Sequence, residues 1–516
     1  MLCVLYRLVG TTVNQRAFNL YNTRTRRVDR VDPLQERHLR FYTCGPTVYS
    51  YAHIGNLRSF LTSDLIVRTA RAIGWRTTHV TNITDVGHLT EDDYADSAGE
   101  DRMVRALRSK EGERFANIYD LARYYSEVLL EDWRSLNLIE PDVRPRATEH
   151  VTDQIEAIER LIASGHAYET SQGVYFHVPS FQRYGALSGN DSSEQLEHAV
   201  RDVVVDPEKR DPRDFALWKK DDRHLMQWYS PFGRGFPGWH IECSVMAMRY
   251  LGDELDLHAG GEDLIFPHHD CEIAQSESLT GKTFARHWVH TRFLQVEGGK
   301  MSKSKGNFLT VRQLLASETE GGRAVDPLAL RYALISGKYR EPFNFTNKHL
   351  RDSAVIVRRY QDARQSVRQA AEIASANGAD LIGEQLERVY EDALEAMLDD
   401  LNTPVALAAA IQGLKIIHGT ESLNRTSAAG AHNWLTKIND LLGFVFHDDA
   451  NPRPPASTAE SGPLADRVEA LLAERARARS ARDFARADAI RGELDALGVE
   501  VMDRPQGTTW RMKIQM

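Results

Sequence analysis

The spacing of apolar residues predicts the regular elements of this chain. Residues 39–46 are rich in apolar and aromatic side chains and end in a Gly-Pro turn, which is typical of a buried strand. From Asn56 to Ile73 apolar residues recur at helical spacing, and Gly74 follows where a helix would end. Residues 77–84 resemble a second strand. Strand, helix and strand in this order predict a βαβ unit, whose parallel sheet places a ligand at the carboxyl ends of its strands.

Later parts of the chain differ from this unit in pattern and composition. Residues 91–234 are expected to form a mostly helical insertion, because residues 118–138 and 152–164 have amphipathic helical spacing. Residues 239–297 return to sheet-forming sequence, and residues 351–446 are helix-rich with a break at Asn402-Thr-Pro404. Residues 447–463 have the composition of a linker, and residues 464–516 form a small appendage with arginine-rich helices. The pattern therefore predicts several separate units.

Composition supports a multidomain globular protein and excludes some classes. With 516 residues the chain is expected to form three or four domains. No run approaches the roughly eighteen apolar residues of a membrane span. Four cysteines are too few for a disulfide framework of this size and favour a reducing compartment. The net charge of −9 neither supports nor excludes a nucleic-acid partner, because local arginine clusters can bind phosphates on an acidic protein.

The N-terminal region has the arginines of a transit peptide but not its other features. The first 28 residues contain five arginines and no acidic residue. The segment before Phe18 is short, however, and its first sixteen residues lack serine. Residues 1–16 are therefore interpreted as a short N-terminal extension or the product of an upstream start codon.

Four side chains of types that can bind a metal ion stand out from the rest of the sequence. Cys44, Cys243, His268 and Glu272 offer two sulfurs, an imidazole and a carboxylate, a set that suits tetrahedral zinc. His268 and Glu272 are four residues apart and share one helical face. The neighbouring His269 points about 100° away on a helix and is expected to face a substrate instead. Two other interpretations stay open: buried free cysteines, and a histidine–glutamate pair on a helix surface.

Three further motifs are suited to a nucleotide. His53-Ile-Gly55-Asn56 opens the predicted helix, where a glycine admits a ligand and the helix N-terminus favours phosphate. A loop with Lys300-Met-Ser-Lys303-Ser follows two glycines and has the charge to close over a triphosphate. The third motif, residues 258–263, combines two glycines with an acidic residue that can accept from ribose hydroxyls. Taken singly, each motif also has an ordinary structural interpretation. The first is typical of a helix cap, the second of a solvated basic turn, and the third of a strand-end turn.

Together the motifs closely resemble those of the cysteinyl-tRNA synthetase family of class I aminoacyl-tRNA synthetases, in the same order, over residues from about 18 to 511. The resemblance implies an α/β fold: a Rossmann-like parallel-sheet catalytic domain with an insertion, an α-helical bundle and a small C-terminal domain. The implied domains are 1–16 (extension), 17–90 with 235–300 (catalytic), 91–234 (inserted connective region), 301–350 (KMSKS loop and stem contact), 351–447 (helical bundle), 448–463 (linker) and 464–516 (anticodon binding).

The resemblance also implies a reaction and assigns residues to it. The expected enzyme activates L-cysteine with ATP, transfers it to tRNA(Cys), and works as a cytoplasmic monomer without a membrane contact. One Zn²⁺ per chain selects the cysteine thiolate, and Mg²⁺ accompanies ATP. The implied sites are catalytic (His53, Asn56, Lys300, Lys303), ATP-binding (His53, Gly55, Asn56, Gly260, Asp263, Lys303), cysteine-binding (Trp239, His269), metal-binding (Cys44, Cys243, His268, Glu272) and anticodon-binding (Asp503, Trp510). Trp239 is equally interpreted as an ordinary core aromatic.

Several positions depart from the family pattern. Asn56 replaces the last histidine of the HIGH motif, so it can donate through its amide but cannot carry charge. Asp270 and Cys271 replace the Glu-Asn pair that is usual between His269 and Glu272, and Cys271 adds a thiol near the predicted metal. The predicted ligands themselves are intact.

Two other functions are compatible with parts of this sequence. A mycothiol-pathway cysteine ligase would share the catalytic core but would have no use for an anticodon reader, so residues 464–516 argue against it. A non-catalytic RNA-binding paralogue would be free to lose the lysine loop or a zinc ligand, yet both are intact.

Overall fold

The computed structural model describes most of the chain. The described residues are 16–87, 89, 100–190, 207–301, 307–316, 318–319, 323–373, 379–447, 463–480, 483–496, 499–504 and 507–512. The predicted extension up to residue 15, nearly all of the predicted linker and Lys303 lie outside the described residues.

Regular elements occupy most of the described chain. The strands are β1 (Asn19–Asn22), β2 (Arg27–Arg30), β3 (His38–Thr43), β4 (Arg76–Thr81), β5 (Ala167–Glu169), β6 (Gly173–Phe176), β7 (Phe215–Lys219), β8 (Phe236–Pro237), β9 (Leu255–Gly261), β10 (Ala285–Thr291), β11 (Leu294–Val296), β12 (Gly299–Lys300), β13 (Glu318–Thr319), β14 (Arg323–Ala324), β15 (Phe343–Phe345), β16 (Val499–Arg504) and β17 (Gly507–Met512). The helices are α1 (Ile54–Ala72), α2 (Arg102–Leu107), α3 (Ile118–Ser135), α4 (Val151–Ala163), α5 (Trp239–Leu251), α6 (Asp270–Thr280), α7 (Val311–Ala316), α8 (Pro327–Ile335), α9 (Asn347–Ile373), α10 (Gly383–Leu398), α11 (Thr403–Gly419), α12 (Arg425–Leu442), α13 (Pro463–Ser480) and α14 (Phe484–Ala496).

A parallel sheet with the strand order β10-β9-β3-β4 forms the centre of the catalytic region. The predicted βαβ unit is confirmed, because β3 and β4 are parallel and α1 connects them. Strand β4 lies on one side of β3, whereas β9 and β10 lie on the other side. The connections therefore diverge between β3 and β9, and such a switch point leaves a crevice at the carboxyl ends of the strands.

Helix α1 is buried along almost its whole length, which explains its position at the centre of the molecule. Its apolar residues belong to a hydrophobic cluster that extends from the sheet into the helical bundle and includes Leu61, Leu65 and Trp434. The helix begins at a His53 cap, and Gly74 follows it with a φ of 77°, a left-handed conformation that glycine adopts without strain. Burial on both sides accounts for its weak amphipathic character.

The predicted insertion contains more than helices. Helices α2, α3 and α4 confirm the helical part of the prediction. A four-stranded antiparallel sheet in the order β5-β6-β7-β8 follows them, with β8 just beyond the predicted boundary at residue 234. The sheet shares one hydrophobic cluster with α4, α5 and α6. The description of this region as mostly helical was therefore incomplete, because it did not include the sheet.

In the C-terminal parts of the chain, the described residues form helices and one hairpin. Helices α9 to α12 form the bundle and pack on the catalytic region through the shared hydrophobic cluster. Helices α13 and α14 follow, and then β16 and β17 pair in antiparallel fashion, with Val501 opposite Trp510 and Asp503 opposite Thr508. Among the helices of the described residues, none has both the length and the apolar character of a membrane span.

Candidate metal and nucleotide site

The four predicted metal ligands meet at the switch point of the sheet. Cys44 directly follows β3, and its backbone N–H donates to the Ala259 carbonyl of β9 at 3.2 Å. Cys243 lies in the first half of α5, His268 lies just before α6, and Glu272 lies in the first turn of α6. All four side chains are buried, and their ligand atoms lie within 4.8 Å of one another. Three separate parts of the chain thus form one potential metal site.

Two of the following three distances between ligand atoms match the edges of a tetrahedral site. The two sulfurs of Cys44 and Cys243 are 3.8 Å apart, and Cys44 Sγ lies 3.3 Å from Glu272 Oε1. His268 Nε2 lies 3.0 Å from the same oxygen. With metal–ligand distances of about 2.0–2.3 Å, the edges of a coordination tetrahedron measure about 3.3–3.8 Å. Both distances from Cys44 Sγ lie within this range, whereas His268 and Glu272 are at hydrogen-bond distance, about 0.3 Å below it. The ligand set therefore suits zinc in its chemistry and in its spacing around Cys44.

The protonation of the site also favours a cation. Burial acts to raise the pKa of Cys243, but hydrogen bonding from Cys44 and the neighbouring His268 lower it to about 6. Burial also acts to raise the pKa of Glu272, yet His258 and His268 lower it to about 2. For His268 burial acts in the other direction, and its hydrogen bonds with Cys243 and Glu272 raise its pKa to about 10. Burial and the neighbouring Cys243 and Glu272 raise the pKa of Cys44, so negative charge concentrates among these side chains. A bound metal ion would supply the positive charge that the raised pKa of His268 otherwise provides.

Additional histidines surround the predicted ligands and were missed by the sequence analysis. His258 Nε2 lies 2.9 Å from Glu272 Oε2, and its ring stacks on Trp288. His240 Nδ1 lies 2.8 Å from His268 Nδ1 and so leaves Nε2 of His268 directed at the ligand cluster. Such partners orient metal ligands in many sites. The position of His240, three residues before Cys243 on one helix, was a usable signal, whereas a buried strand histidine such as His258 offers none.

His269 does not point away from the cluster as the helical spacing predicted. Its Nε2 lies 3.5 Å from Cys44 Sγ, and Cys44, His258, His269 and Glu272 form a second group with metal-binding spacing. Residues 265–269 are not a regular helix, since Phe266 has the extended angles φ −133° and ψ 133°. The rotation of 100° between neighbouring residues of a regular helix therefore does not apply to His268 and His269. Its other nitrogen, Nδ1, lies 2.7 Å from His290 Nε2.

Trp239 and Cys271 lie on different sides of the predicted ligands. The ring centroid of Trp239 is 4.3 Å from that of His268, and Trp239 is only partly buried. This position is compatible with the wall of a substrate pocket. Cys271 is fully buried in the hydrophobic core of the insertion, where its Sγ lies 3.4 Å from the Tyr184 hydroxyl. It belongs to neither group of side chains with metal-binding spacing.

The N-terminus of α1 combines a helix cap with side chains that can donate hydrogen bonds to a phosphate. His53 Nδ1 accepts from the Asn56 N–H, and Asn56 Oδ1 accepts from the His53 N–H, at 3.2 Å each. The capping interpretation of this motif is therefore correct. It does not exclude a ligand, because a neutral imidazole that accepts at Nδ1 carries its proton at Nε2. Asn56 likewise uses only its amide oxygen in the cap, and its NH₂ group is a further donor.

Both ends of the lysine loop contact this helix end. A Cβ at Gly55 would lie 2.9 Å from the Met301 methyl group, so the start of the loop packs on the glycine. Beyond the undescribed residues 302–306, the Phe308 ring lies 5.1 Å from the His53 ring, and Ile54 N–H donates to the Leu309 carbonyl at 3.0 Å. The HIGH-like and KMSKS segments are thus adjacent. Lys300 is exposed beside Phe293.

The third nucleotide motif lies at the end of β9. A Cβ at Gly260 would lie 2.9 Å from the His269 ring, and one at Gly261 would lie 2.3 Å from Asp263 Oδ1. The lack of a side chain at Gly260 and Gly261 therefore leaves room for the side chains of His269 and Asp263, and it would also let a ligand approach the backbone. Asp263 is exposed at the same edge of the sheet. By contrast, Asp503 and Trp510 belong to the separate C-terminal hairpin.

Comparison with known proteins supports the same assignment. A family model described as "tRNA synthetases class I (C) catalytic domain" matches residues 30–355. A solved structure of methionyl-tRNA synthetase from Mycobacterium tuberculosis in complex with methionyl-adenylate is similar in fold, with a TM-score of 0.54 at 15% sequence identity. The similarity covers 79% of this chain and 92% of that chain. The fold and the catalytic-domain match define a class I aminoacyl-tRNA synthetase.

Sequence relatives identify the family within this class. A cysteine–tRNA ligase of Salinibacter ruber is 59% identical over 514 residues, which cover 97% of this chain and 99% of that protein. One from Rhodospirillum rubrum is 43% identical and covers 96% of this chain and 99% of its own length. A second family model, "Cysteinyl-tRNA ligase anticodon binding domain", matches residues 461–511. The chain belongs to the cysteine–tRNA ligase family, which confirms the predicted fold class and an ATP-dependent ligase.

Proposed function

We propose that this chain activates L-cysteine with ATP and transfers the cysteinyl group to the terminal adenosine of tRNA(Cys). One observation carries the choice of cysteine: a buried Cys44–Cys243–His268–Glu272 set, with its ligand atoms within 4.8 Å of one another, lies at the same sheet edge as the nucleotide motifs. The amino acid and ATP would then meet at the switch point between β3 and β9. This is where open α/β sheets bind their ligands.

The metal set would select the substrate by its sulfur. A bound zinc ion would accept a thiolate as a ligand, whereas a neutral hydroxyl is a poor ligand at neutral pH. The four residues would hold the ion. His240 would orient His268 through Nδ1, and His258 would orient Glu272 through Oε2. Trp239 would line the side of the pocket, and His269 would face the bound amino acid.

The residues around α1 would stabilise charge in the adenylation step. The carboxylate of cysteine attacks the α-phosphorus of ATP, the bond to the bridging oxygen breaks, and pyrophosphate leaves with Mg²⁺. His53 Nε2–H and the Asn56 amide would donate to phosphoryl oxygens as their charge grows. Lys300 and Lys303 would balance the charge of the leaving pyrophosphate. Gly55 and Gly260 would allow the nucleotide to approach the backbone, and Asp263 would accept from ribose hydroxyls.

The tRNA would contact the C-terminal half of the chain. In this proposal the helical bundle binds the long arm of the tRNA, and the hairpin with Asp503 and Trp510 reads the anticodon. The enzyme would act as a monomer in the cytoplasm. A reducing compartment agrees with the three buried cysteines of the described residues, which form no disulfide with one another.

An acylation assay separates this function from its two alternatives. Purified protein with ATP and radiolabelled cysteine should charge tRNA and leave a mycothiol-type amino-sugar unmodified. Transfer to the amino-sugar would support the small-molecule ligase, and RNA binding without adenylate formation would support a non-catalytic protein.

Removing the C-terminal domain should separate the two steps of the reaction. A chain that ends at residue 447 retains the metal set and α1, so cysteine-dependent ATP–pyrophosphate exchange should stay within about twofold of the parent. Charging of tRNA should fall in kcat/KM by at least about tenfold, since one lost base-stacking contact alone is worth about 1–3 kcal/mol. Steady-state assays of both steps on one preparation give the comparison. An equal loss of both activities would mean that the domain supports the catalytic core instead.

A further inference from the structure

The last helix of the bundle ends inside the protein, where side chains from outside the bundle bind it. A helix leaves its final carbonyl groups without partners in its own ladder. Arg68, Asn137 and Arg331 donate hydrogen bonds of 2.8–3.1 Å to carbonyls at the end of α12. The accepting carbonyls are those of Asn439, Asp440, Leu442, Gly443 and Phe446. The three donors come from α1, from the turn after α3 and from α8.

Asp64 of α1 joins the two arginines into one unit. Its carboxylate accepts from Arg68 Nε at 2.9 Å and also from Arg331. Burial acts to raise the pKa of Asp64, but the two arginines outweigh it and lower that pKa. We call Asp64, Arg68, Asn137 and Arg331 the helix-end clamp. Its four side chains are at most 3% exposed.

The bundle does not need the helix-end clamp in order to pack stably on the catalytic region. Burying charged groups costs desolvation free energy that offsets most of their attraction, so hydrophobic residues of similar size would hold the bundle equally well. The shared hydrophobic cluster around Leu65, Trp434 and Leu441 already does so. Directional hydrogen bonds to five carbonyls add one thing that apolar packing does not, a defined orientation of α12 relative to α1.

Helix α1 connects the clamp with the proposed nucleotide site. At about 1.5 Å per residue, Asp64 lies roughly 16 Å along the helix axis from His53. Arg58, between them, fixes the near half of α1 to the catalytic region by donating to the Arg292 and Lys338 carbonyls at 2.7 Å each. One end of this helix therefore belongs to the catalytic site, and the other end binds the bundle.

We propose that the helix-end clamp positions α1 for the transfer step, by holding the phosphate-binding end of α1 and the tRNA-binding bundle in one fixed geometry. Arg331 and Asp64 are positioning residues, because they act through α1 and α12. This inference rests on the proposed roles of His53, Asn56 and the bundle. Adenylate formation needs only the near half of α1, whereas transfer also needs the tRNA end to meet the adenylate.

The test compares Arg331→Met with the parent in single-turnover transfer from preformed cysteinyl-adenylate to saturating tRNA. The transfer rate per active site should fall about tenfold, the size of effect that a small misplacement of reacting groups produces. ATP–pyrophosphate exchange should stay within about threefold and KM for tRNA within about twofold. Arg331→Lys should recover part of the transfer rate, since lysine keeps the charge but not the planar set of donors. Active sites are counted by adenylate formation, so misfolded protein does not enter the rate.

Asp400→Asn supplies the matched control. Asp400 links the bundle to the catalytic region at another place. It accepts from the Tyr339 hydroxyl at 2.6 Å and the Tyr21 N–H at 2.8 Å, and it pairs with Arg340. Among the described residues its hydrogen bonds do not involve α1. Its transfer rate should stay within about twofold of the parent.

If Arg331→Met does not fold, Asn137→Gly carries the same measurement. It removes the donors to the Gly443 and Phe446 carbonyls, leaves the Asp64–Arg68 pair intact, and suits the positive φ of 54° at this position. A normal transfer rate per active site in the clamp variants, or an equal loss in Asp400→Asn, would overturn the proposal. A failure of the proposed function would appear earlier, as absent cysteine-dependent exchange in the parent.

Discussion

Replacing Lys303 with alanine should slow cysteine-dependent ATP–pyrophosphate exchange by about 10²–10³-fold, as the loss of other preorganised donors to transition-state charge does. The chain enters residues 302–306 at Met301, which packs on Gly55, and leaves them beside His53. The described residues on both sides of this segment therefore lie at the N-terminus of α1, the end proposed to bind phosphate. The Lys303 ammonium would balance charge on the leaving pyrophosphate, and steady-state exchange at saturating ATP measures that contribution directly.

Lys305→Ala is the matched control for this prediction. It removes the same charge from the same short segment but not the lysine that matches the ATP-contacting position of the family. We expect exchange within about threefold of the parent and unchanged zinc content in both variants. A Lys303→Ala enzyme with nearly normal exchange would remove Lys303 from the catalytic residues.

The central fold was predictable because its signals are local. The predicted strand 39–46 and helix 56–73 correspond to β3 (His38–Thr43) and α1 (Ile54–Ala72). Apolar spacing together with Gly74 suffices to find such elements. The sheet of the insertion lacks these signals. Strand β5 has three residues, all four residues of β6 are buried, and the pairing of β6 with β7 shifts register at Val174 and Tyr175. Without alternation between buried and exposed positions, short strands cannot be distinguished from loops.

The candidate site was predictable only in part, because its geometry is tertiary. Cys44 and Cys243 are 199 residues apart in the chain, yet their sulfurs are 3.8 Å apart in the structure. The spacing of apolar residues carries no information about a contact between residues so far apart in the chain. The contact was predicted from the resemblance of the motifs to those of the family. The environment of His269 was beyond sequence reasoning, since it depends on the irregular backbone at Phe266. The clamp was missed for the same reason, because buried arginines such as Arg331 look like ordinary surface residues in a sequence.

The largest expected effect concerns the choice between cysteine and serine. If the substrate's sulfur binds the ion held by Cys44, Cys243, His268 and Glu272, the enzyme should prefer cysteine by about 10⁴–10⁵-fold in kcat/KM, as do sites whose specific polar partner is missing from the competitor. At 1.4 kcal/mol per decade this preference is about 5.5–7 kcal/mol, far more than packing around one atom provides. Exchange assays with each amino acid measure the ratio. Cys243→Ser should lower zinc content and cysteine activation together, because it replaces a thiolate ligand with a neutral hydroxyl.

Cys271→Ser is the matched control, since it makes the same change at a buried cysteine that lies in the insertion core beside Tyr184. It should keep one zinc per chain and most of the cysteine activity. Cobalt then distinguishes a substrate-binding ion from a structural one. In the cobalt-substituted enzyme, adding cysteine should strengthen the sulfur-to-metal charge-transfer band, and adding serine should leave it unchanged. If the band does not change when cysteine is added, the ion has a structural role only. Cysteine would then have to be selected by other contacts, most directly those with Trp239 and His269.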